Sequence, residues 1–352
     1  MIPFFTMQLL EWNESHNSRS MPWKGEKDPY KIWLSEIILQ QTRVEQGWSY
    51  YEKFIKSFPS IDTLAKAPEK KVYKLWEGLG YYTRCRNLIQ TARKISSDNA
   101  GHFPSTYEDI VNLKGIGPYT ASAIASFAFN LPYAVVDSNV KRVLARYFGI
   151  STPIDSANGM KFYSDFAATL LDQKRPGIYN QAIMDFGAVV CKPKNPCCHA
   201  CILSVGCQAF KHNWVTILPN KGKRPPKERR WFYYLVIQTL EKNYYIRQRK
   251  GKDIWQNLYE FVLWESDQPI GMDDFAMSDF MKDVFGKHPF TIRNISKIYK
   301  QQLTHQTIQG RFLHIEIKKP LSRLKEYKLI KPGKIREYPF PKFINEYLPN
   351  LL

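Results

Sequence analysis

The sequence predicts two domains, an all-α domain followed by an α+β domain. From residues 1 to 217, apolar residues recur at three- and four-residue spacing, as in YKIWLSEIILQQTRVEQ, which is the period of amphipathic helices. From 231 to 352, aromatic and β-branched runs such as WFYYLVIQTL and RFLHIEI alternate with polar turns and favour strands, with helices expected at 272–285 and 341–351. Between them, the basic, proline-rich segment 218–230 predicts an extended linker.

Length and charge narrow the class of protein. The 352 residues suit two domains of about 150 residues each. Lys and Arg number 51 against 32 Asp and Glu, and the resulting net charge of +19 predicts a polyanionic partner, either nucleic acid or an anionic membrane surface. No apolar run approaches the roughly 20 residues that cross a bilayer. The N-terminal stretch MIPFFTMQLLEWNESH predicts an amphipathic helix rather than a signal peptide, so we expect a cytoplasmic protein, nucleoid-associated if bacterial.

Five of the six cysteines fall between residues 191 and 207, which favours metal ligation over a disulfide framework. Four of them have compact, unequal spacing that suits the corners of a [4Fe-4S] cluster. Zinc, which is usually held by two separated C-x2-C pairs, remains the alternative. Cys85 is expected to be an ordinary buried thiol. The predicted ligands are Cys191, Cys198, Cys201 and Cys207.

The run LKGIGPYT, from Leu113 to Thr120, predicts a tight turn between two helices. Gly115 and Gly117 permit the turn, and the backbone N–H groups at the start of the second helix attract a phosphate oxygen without reading sequence. Alternatively, the glycines only satisfy the geometry of a helix–helix turn. The basic composition and the cysteine set favour a helix-hairpin-helix that binds DNA phosphate.

Two separated carboxylates are candidates for acid–base chemistry. Glu36 lies among the apolar residues of WLSEIILQQT, where burial should raise its pKa. Asp137 begins the run DSNVKRVLAR and is equally well explained as a helix N-cap. Because a helix N-terminus favours the charged form of Asp137, the pair predicts one acid and one anion at neutral pH.

These motifs together resemble a known family. The cysteine spacing and the runs SEIILQQT, LKGIGPYTASA and VVDSNVKRVLAR, in the order in which they occur, are similar to the iron–sulfur helix-hairpin-helix base-excision glycosylases, and within them to the MutY-type adenine DNA glycosylases. The resemblance spans about residues 1–210 and includes PWK, WEGLGYYTRCRNL and NQAIMDFGAVVC. It implies a monomeric enzyme that acts on double-stranded DNA containing an A:8-oxoguanine or A:G mispair. The [4Fe-4S] cluster would position a basic loop rather than carry electrons.

The resemblance also implies roles for the carboxylates. Glu36 would protonate adenine N7 as general acid and then activate water, and Asp137 would stabilise the oxocarbenium-like sugar electrostatically or through a transient covalent bond. Tyr119 and Asn139 match residues that line this site. Tyr119 also stands where the endonuclease III group carries its lysine nucleophile, which implies a monofunctional glycosylase. Lys24 and Lys141 are the candidates for adventitious lyase activity.

Other residues match positions around the extruded base. Arg19, Lys24 and Gln181 match positions that hold adenine, whereas Gln41 and Tyr81 match the wedge beside the mispaired purine. Without the resemblance, Gln41 would be a helix-end residue and Tyr81 a half-buried core tyrosine.

Residues 231–352 resemble, more faintly, the Nudix-like domain with which the same family recognises 8-oxoguanine. No Nudix box occurs in the sequence, so this domain is expected to read the lesion rather than hydrolyse pyrophosphate. In QLTHQTIQG, Leu303, Thr304 and His305 replace the family's Phe-Ser-His. Thr304 keeps the hydroxyl, Leu303 loses a stacking face, and His305 is equally well explained as a surface or core histidine.

Two other functions fit parts of the sequence. An endonuclease III-like glycosylase/lyase is disfavoured by Tyr119 and by the second domain. In a DNA-binding module with a structural metal, Glu36 and Asp137 would be only a buried polar residue and a helix cap.

Overall fold

The computed structural model describes residues 2–222 and 226–351, with the side chains of the first two described residues excepted. The chain divides into two compact units. The first comprises Met1–Ala67 and Arg86–Arg224, and the second comprises Pro68–Cys85 and Pro225–Leu352. The segment 68–85 therefore belongs with the C-terminal unit, although the sequence boundaries place it in the N-terminal domain.

Helices build the first unit, as predicted. Its core packs α-helices from both ends of the unit around Phe5, Leu144 and Phe186. The segment 191–207, here called the cysteine loop, packs against one side of this core. The helices from the N-terminus to residue 211, including the one in 68–85, are α1 (Ile2–Ser15), α2 (Pro29–Leu39), α3 (Val44–Ser57), α4 (Ile61–Lys66), α5 (Glu69–Trp76), α6 (Tyr82–Asp98), α7 (Tyr107–Val111), α8 (Pro118–Phe129), α9 (Ser138–Phe148), α10 (Ala157–Leu170), α11 (Pro176–Val189) and α12 (Gln208–Lys211).

A mixed sheet forms the centre of the second unit, which confirms the α+β prediction. Its strands are β1 (Glu228–Thr239), β2 (Tyr244–Gln248), β3 (Tyr259–Glu260), β4 (Val262–Ser266), β5 (Phe290–Ile295), β6 (Tyr299–Gln302), β7 (Gln306–Ile317) and β8 (Lys328–Ile330). The order β3-β2-β1-β7-β5 runs through a parallel β1–β7 pair, while the other pairs are antiparallel. Gly310 of β7 permits this close pairing, because a Cβ there would lie 1.9 Å from the Phe232 carbonyl oxygen.

The helices of the second unit are shorter than predicted. The expected helix 272–285 is divided into α13 (Met272–Ala276) and α14 (Asp279–Phe285), because Ser278 caps α14 by accepting a hydrogen bond from the Met281 N–H. The expected helix 341–351 is reduced to α15 (Lys342–Asn345) followed by a 3₁₀ turn, Leu348–Asn350.

The predicted linker 218–230 is ordered at both ends, and its residues 223–225 lie outside the described residues. Leu218 is buried, and Asn220 holds the first unit through its side-chain bond to the Ser151 carbonyl and a backbone bond from Ile154. At the other end, β1 begins at Glu228, inside the predicted linker. Backbone pairing of β1 with β7 explains this difference, since a proline-rich, basic composition does not reveal a strand partner.

Candidate active site

One cavity of the first unit, about 1050 Å³ in volume, gathers residues that are far apart in the sequence. Its walls come from the loop after α1 and from α2, α8, α9 and α11. The volume is that of a small-molecule site. Eight of the predicted site residues line it: Arg19, Lys24, Glu36, Gln41, Tyr119, Asp137, Asn139 and Gln181.

Glu36 is buried on α2, a helix that is apolar on nearly every side. Asp28 starts this helix by accepting a hydrogen bond from the Tyr30 N–H at 2.9 Å. The Glu36 side chain lies in the last turn and is only 7 % exposed. Burial is the main reason why the pKa of Glu36 rises to about 7; the charge of Asp137 adds to the rise, and a hydrogen bond with Tyr119 opposes it. A carboxyl with this pKa exchanges a proton readily at neutral pH.

Tyr119 lies in the first turn of α8 and donates its hydroxyl to Glu36. Burial raises the pKa of Tyr119 well above its usual value, and the charges of Glu36 and Asp137 raise it further. The phenol therefore stays protonated and serves as a donor. It carries no amine, so it cannot form a Schiff base.

The glycine turn precedes α8 and joins it to α7, in agreement with the predicted hairpin. Gly115 has φ +80°, and a Cβ there would lie 2.6 Å from the Asn87 Cβ. Gly117 caps α8 with φ −95°, and no described atom lies within 4 Å of a Cβ built on it. The Thr91 hydroxyl donates to the Lys114 carbonyl at 2.8 Å and fastens the turn to α6. Gly117 thus leaves its side of the turn open.

Asp137 is the N-cap of α9. Its Oδ1 accepts from the Val140 N–H at 2.7 Å, and its Oδ2 accepts from the Asn139 amide at 2.8 Å. The preceding segment is held by buried Asn180, whose Oδ1 accepts from the Val135 N–H at 3.0 Å. These bonds to Asp137 favour its anion, as expected for a helix N-terminus, but burial outweighs them and raises its pKa.

A buried arginine connects this cap to the cysteine loop. The Arg142 Nη2 donates to the Asn139 Oδ1 at 2.8 Å and to the Gly187 carbonyl at 2.7 Å. Its Nε donates to the Cys191 carbonyl at 2.9 Å. The Asn139 side chain is therefore fixed on both sides, between Asp137 and Arg142.

The four predicted ligand cysteines lie near one another in the cysteine loop. Burial, together with the charges of the other three thiols, raises the pKa of the Cys201 thiol to about 11, and a backbone hydrogen bond from Leu203 opposes the rise. Arg146 donates to the Lys192 carbonyl at 2.7 Å and holds the start of the loop. In the described ranges, no three His, Cys, Asp or Glu side chains surround a point as closely as one bound metal ion requires. Cys85 is fully buried, as predicted.

The carboxylate that organises the other wall of the cavity was not among the residues predicted from the sequence. Asp185 of α11 has no exposed side-chain surface and accepts from four side chains. Its partners are Arg19 Nη1 at 2.7 Å, Lys24 Nζ at 3.0 Å, Gln181 Nε2 at 2.9 Å and Asn17 Nδ2 at 2.9 Å. The available signal was an aspartate in the apolar helix IMDFGAVV, because a charge buried in such a helix requires partners.

Tyr81, Thr304 and His305 lie in the second unit. The Tyr81 hydroxyl forms a short hydrogen bond with the Thr304 hydroxyl, and the Tyr81 side chain is 44 % exposed. Leu303, Thr304 and His305 form the turn between β6 and β7, closed by a bond from the Leu303 N–H to the Gln306 carbonyl at 2.8 Å. Thr304 and His305 are exposed and Leu303 is half-buried, so the predicted recognition residues form a surface turn.

Comparison with known families agrees with this architecture. Residues 34–162 match the family described as HhH-GPD superfamily base excision DNA repair protein, and residues 233–350 match the NUDIX domain family. Among the described residues, we find no helix that combines the length and the apolar character of a membrane span.

Solved glycosylases share the fold of the first unit. A thermostable thymine-DNA glycosylase is 30 % identical with a TM-score of 0.56, and the alignment covers 60 % of this chain and 97 % of that one. Endonuclease III in a non-covalent DNA complex is 18 % identical with a TM-score of 0.52, covering 60 % of this chain and 96 % of the other, and it shows the fold alone.

Curated relatives place the chain more narrowly. The adenine DNA glycosylase of Buchnera aphidicola subsp. Baizongia pistaciae is 40 % identical over 73 % of each chain. That of Buchnera aphidicola subsp. Acyrthosiphon pisum is 32 % identical over 92 % of this chain and 97 % of its own. The predicted resemblance and fold class are confirmed. The chain belongs to the adenine DNA glycosylase family of base-excision repair, whose members are hydrolases of N-glycosyl bonds.

Proposed function

We propose that this enzyme hydrolyses the N-glycosidic bond of adenine paired with 8-oxoguanine or guanine in duplex DNA. The observation that carries the proposal is the buried carboxyl of Glu36, which has a pKa of about 7. This carboxyl lines the same cavity as the carboxyl of Asp137. Both carboxyls are buried, but Asp137 also accepts hydrogen bonds from the Val140 N–H and the Asn139 amide that favour its anion. The pair would therefore supply the acid and the anion that cleavage of a glycosidic bond needs. The chain's charge of +19 supports a DNA partner.

The chemistry divides between these two residues. Protonated Glu36 gives its proton to adenine N7, and the C1′–N9 bond breaks with its electron pair moving to the base. The Asp137 carboxylate stabilises the positive charge that develops on the sugar. Water then adds to C1′ and gives a proton back to Glu36, which restores the acid. Tyr119 keeps Glu36 in place through the hydrogen bond to its carboxyl.

Arg19, Lys24 and Gln181 line the same cavity and would hold the extruded adenine. Their common partner Asp185 fixes their positions before the base arrives. Flipping the nucleotide costs a few kcal/mol. Phosphate contacts at the Gly115–Gly117 hairpin, together with Gln41 and Tyr81 as wedges, would offset this cost.

Recognition of 8-oxoguanine belongs to the β6–β7 turn in this proposal. Thr304 and His305 are both exposed residues, which supports their access to a base in DNA. The hydrogen bond between Thr304 and Tyr81 supports a shared role at the opposite-strand base.

Glu36→Gln tests the chemical part of the proposal. The amide keeps the shape of the side chain but cannot donate the proton, so single-turnover excision of adenine opposite 8-oxoguanine should fall by at least about a hundredfold. Binding of the same duplex should remain. Glu45→Gln makes the same change on exposed Glu45 of α3 and should behave as wild type. Retention of more than a few per cent of the rate in Glu36→Gln would exclude the acid role.

The cysteine loop is proposed to hold a [4Fe-4S] cluster on Cys191, Cys198, Cys201 and Cys207. When bound, the cluster supplies structural cross-linking of the loop. Iron and sulfide analysis should give about four irons per chain, as one cluster requires. Because binding energy of a cluster is also folding energy, Cys198→Ser should lower solubility and melting temperature more than Cys85→Ser does. One zinc per active chain would contradict the assignment.

A further inference from the structure

Helix α5 and the turn after it are part of the C-terminal unit, although they precede the rest of that unit by more than a hundred residues in the sequence. The Tyr73 hydroxyl accepts from the Asn257 amide at 2.8 Å, and Lys74 donates to the Tyr338 carbonyl at 3.3 Å. The Lys70 ammonium lies 3.7 Å from the centre of the Tyr338 ring. Lys70, Tyr73 and Lys74 share one face of the helix, so the rest of the C-terminal unit holds α5 along this face.

Glu77 provides a further contact at the end of α5. Its Oε1 accepts from the Phe340 N–H at 2.9 Å and from the Asn345 amide at 2.8 Å. Its Oε2 pairs with Lys74, and only 15 % of the Glu77 side chain is exposed. Asn345 also donates to the Phe340 carbonyl at 3.0 Å, which closes a small network around the carboxylate. Hydrogen bonds to a charged acceptor are stronger than neutral ones, so this carboxylate fixes the end of α5 to residues 340–345.

The chain after Glu77 forms a strained turn that ends at Tyr81. Gly78 and Gly80 have φ of +96° and +73°, and Tyr81 has φ +48°. The left-handed region costs a non-glycine residue about 1 kcal/mol or more, so the conformation of Tyr81 has to be imposed by its surroundings. The Trp76 indole helps by donating to the Gly80 carbonyl at 3.0 Å. At the far end of the turn, Tyr81 meets Thr304.

We propose that Glu77 is a positioning residue through which the C-terminal segment 340–345 sets Tyr81 against Thr304. Preference for 8-oxoguanine over guanine then depends on Glu77, a residue three positions before the turn's second glycine. This inference rests on the proposed function, in which Tyr81 and Thr304 flank the opposite-strand base.

The test uses the full chain and two duplexes, with adenine opposite 8-oxoguanine and adenine opposite guanine. The readout is the ratio of the two excision rates at limiting enzyme, because a general loss of folded protein lowers both rates equally and leaves their ratio unchanged. Glu77→Ala should lower the ratio about fivefold. Glu77→Gln should retain it, because its amide oxygen still accepts from the Phe340 N–H.

Asn345→Ala removes one donor to Glu77 and should lower the ratio in the same direction, which keeps the test decisive if Glu77→Ala does not fold. Glu337→Gln is the matched control. Glu337 pairs with Lys70 of α5 at 3.6 Å in an exposed position, so the ratio should not change. An unchanged ratio in Glu77→Ala or, where that variant is unfolded, in Asn345→Ala overturns the inference. The inference is also overturned if Glu77→Gln loses the preference as fully as Glu77→Ala does. A wild-type enzyme without any preference contradicts the proposed lesion recognition itself.

Discussion

The cavity of the first unit and the β6–β7 turn of the second unit place their functional side chains in opposite environments. Glu36 and Asp185 are almost completely removed from solvent, and each is held by side chains from other parts of the unit. Thr304 and His305 are exposed on a short turn, where Thr304 meets Tyr81.

In the proposed function, this difference corresponds to two tasks, proton transfer in the cavity and recognition of a base at the turn. A proton transfer requires a shifted pKa, and burial is the main cause of the shift at Glu36. Reading a base requires accessible donors and acceptors in defined positions rather than a shifted pKa. Changes in the cavity should therefore act on the rate of chemistry, whereas changes in the turn should act on the choice of substrate.

The largest effect is expected from Asp137→Asn. Asparagine caps a helix about as well as aspartate, so α9 should remain intact and the melting temperature should change little. Loss of the negative charge should slow single-turnover excision about a thousandfold. Asp28→Asn makes the same change at the N-cap of α2, outside the cavity lining, and should keep the wild-type rate. If both variants lose activity equally, Asp137 acts only as a cap.

The shifted pKa of Glu36 should appear in the stability of the fold. The folded pKa of about 7 lies above the ordinary value of 4.5, so the folded chain keeps a proton that the unfolded chain loses between these values. This contribution to stability is complete below about pH 4.5 and is lost as the pH rises through about 7. The unfolding free energy of wild type should therefore fall, relative to Glu36→Gln, by about 3 kcal/mol between pH 4 and 8.

Chemical denaturation of both proteins across this pH range measures the difference directly. Because the two chains share every other titrating group, their other pH effects cancel. A difference that does not change with pH would mean that Glu36 has an ordinary pKa, and the acid role would lose its physical basis.

Asp185→Asn should disturb the wall that holds the base. The change leaves Arg19 and Lys24 without their shared charge, although the two cations retain some solvent contact. We expect a lower melting temperature and a loss in kcat/KM of about tenfold or more, measured by steady-state excision. Glu14→Gln removes the charge of an exposed residue that pairs with Arg175 at the surface, and it should change neither the melting temperature nor kcat/KM. Normal kinetics in a destabilised Asp185→Asn would restrict Asp185 to a structural role.

The sequence revealed those features that follow from local pattern. Gly115 signals a tight turn, and Glu36 in an apolar helix signals a raised pKa. Contacts between distant segments have no such signal. Neither the hydrogen bonds of Glu77 to Phe340 and Asn345 nor the transfer of 68–85 to the second unit follows from periodicity or composition.

The smallest effect is expected from Thr304→Ala in the full-length protein. Removing the hydroxyl deletes the bond to Tyr81 and, in the proposed function, a contact with the oxidised base. Affinity for the duplex with 8-oxoguanine should fall about tenfold or less, which corresponds to one lost hydrogen bond of about 1 kcal/mol. The excision rate at saturating enzyme should not change, because the cavity residues are untouched. Thr307→Ala, which removes a half-buried hydroxyl of β7 three residues further along, should leave affinity unchanged. An equal loss for duplexes with 8-oxoguanine and guanine would show that Thr304 contributes to DNA binding in general, and reading of the lesion would then have to rest on other residues of the turn.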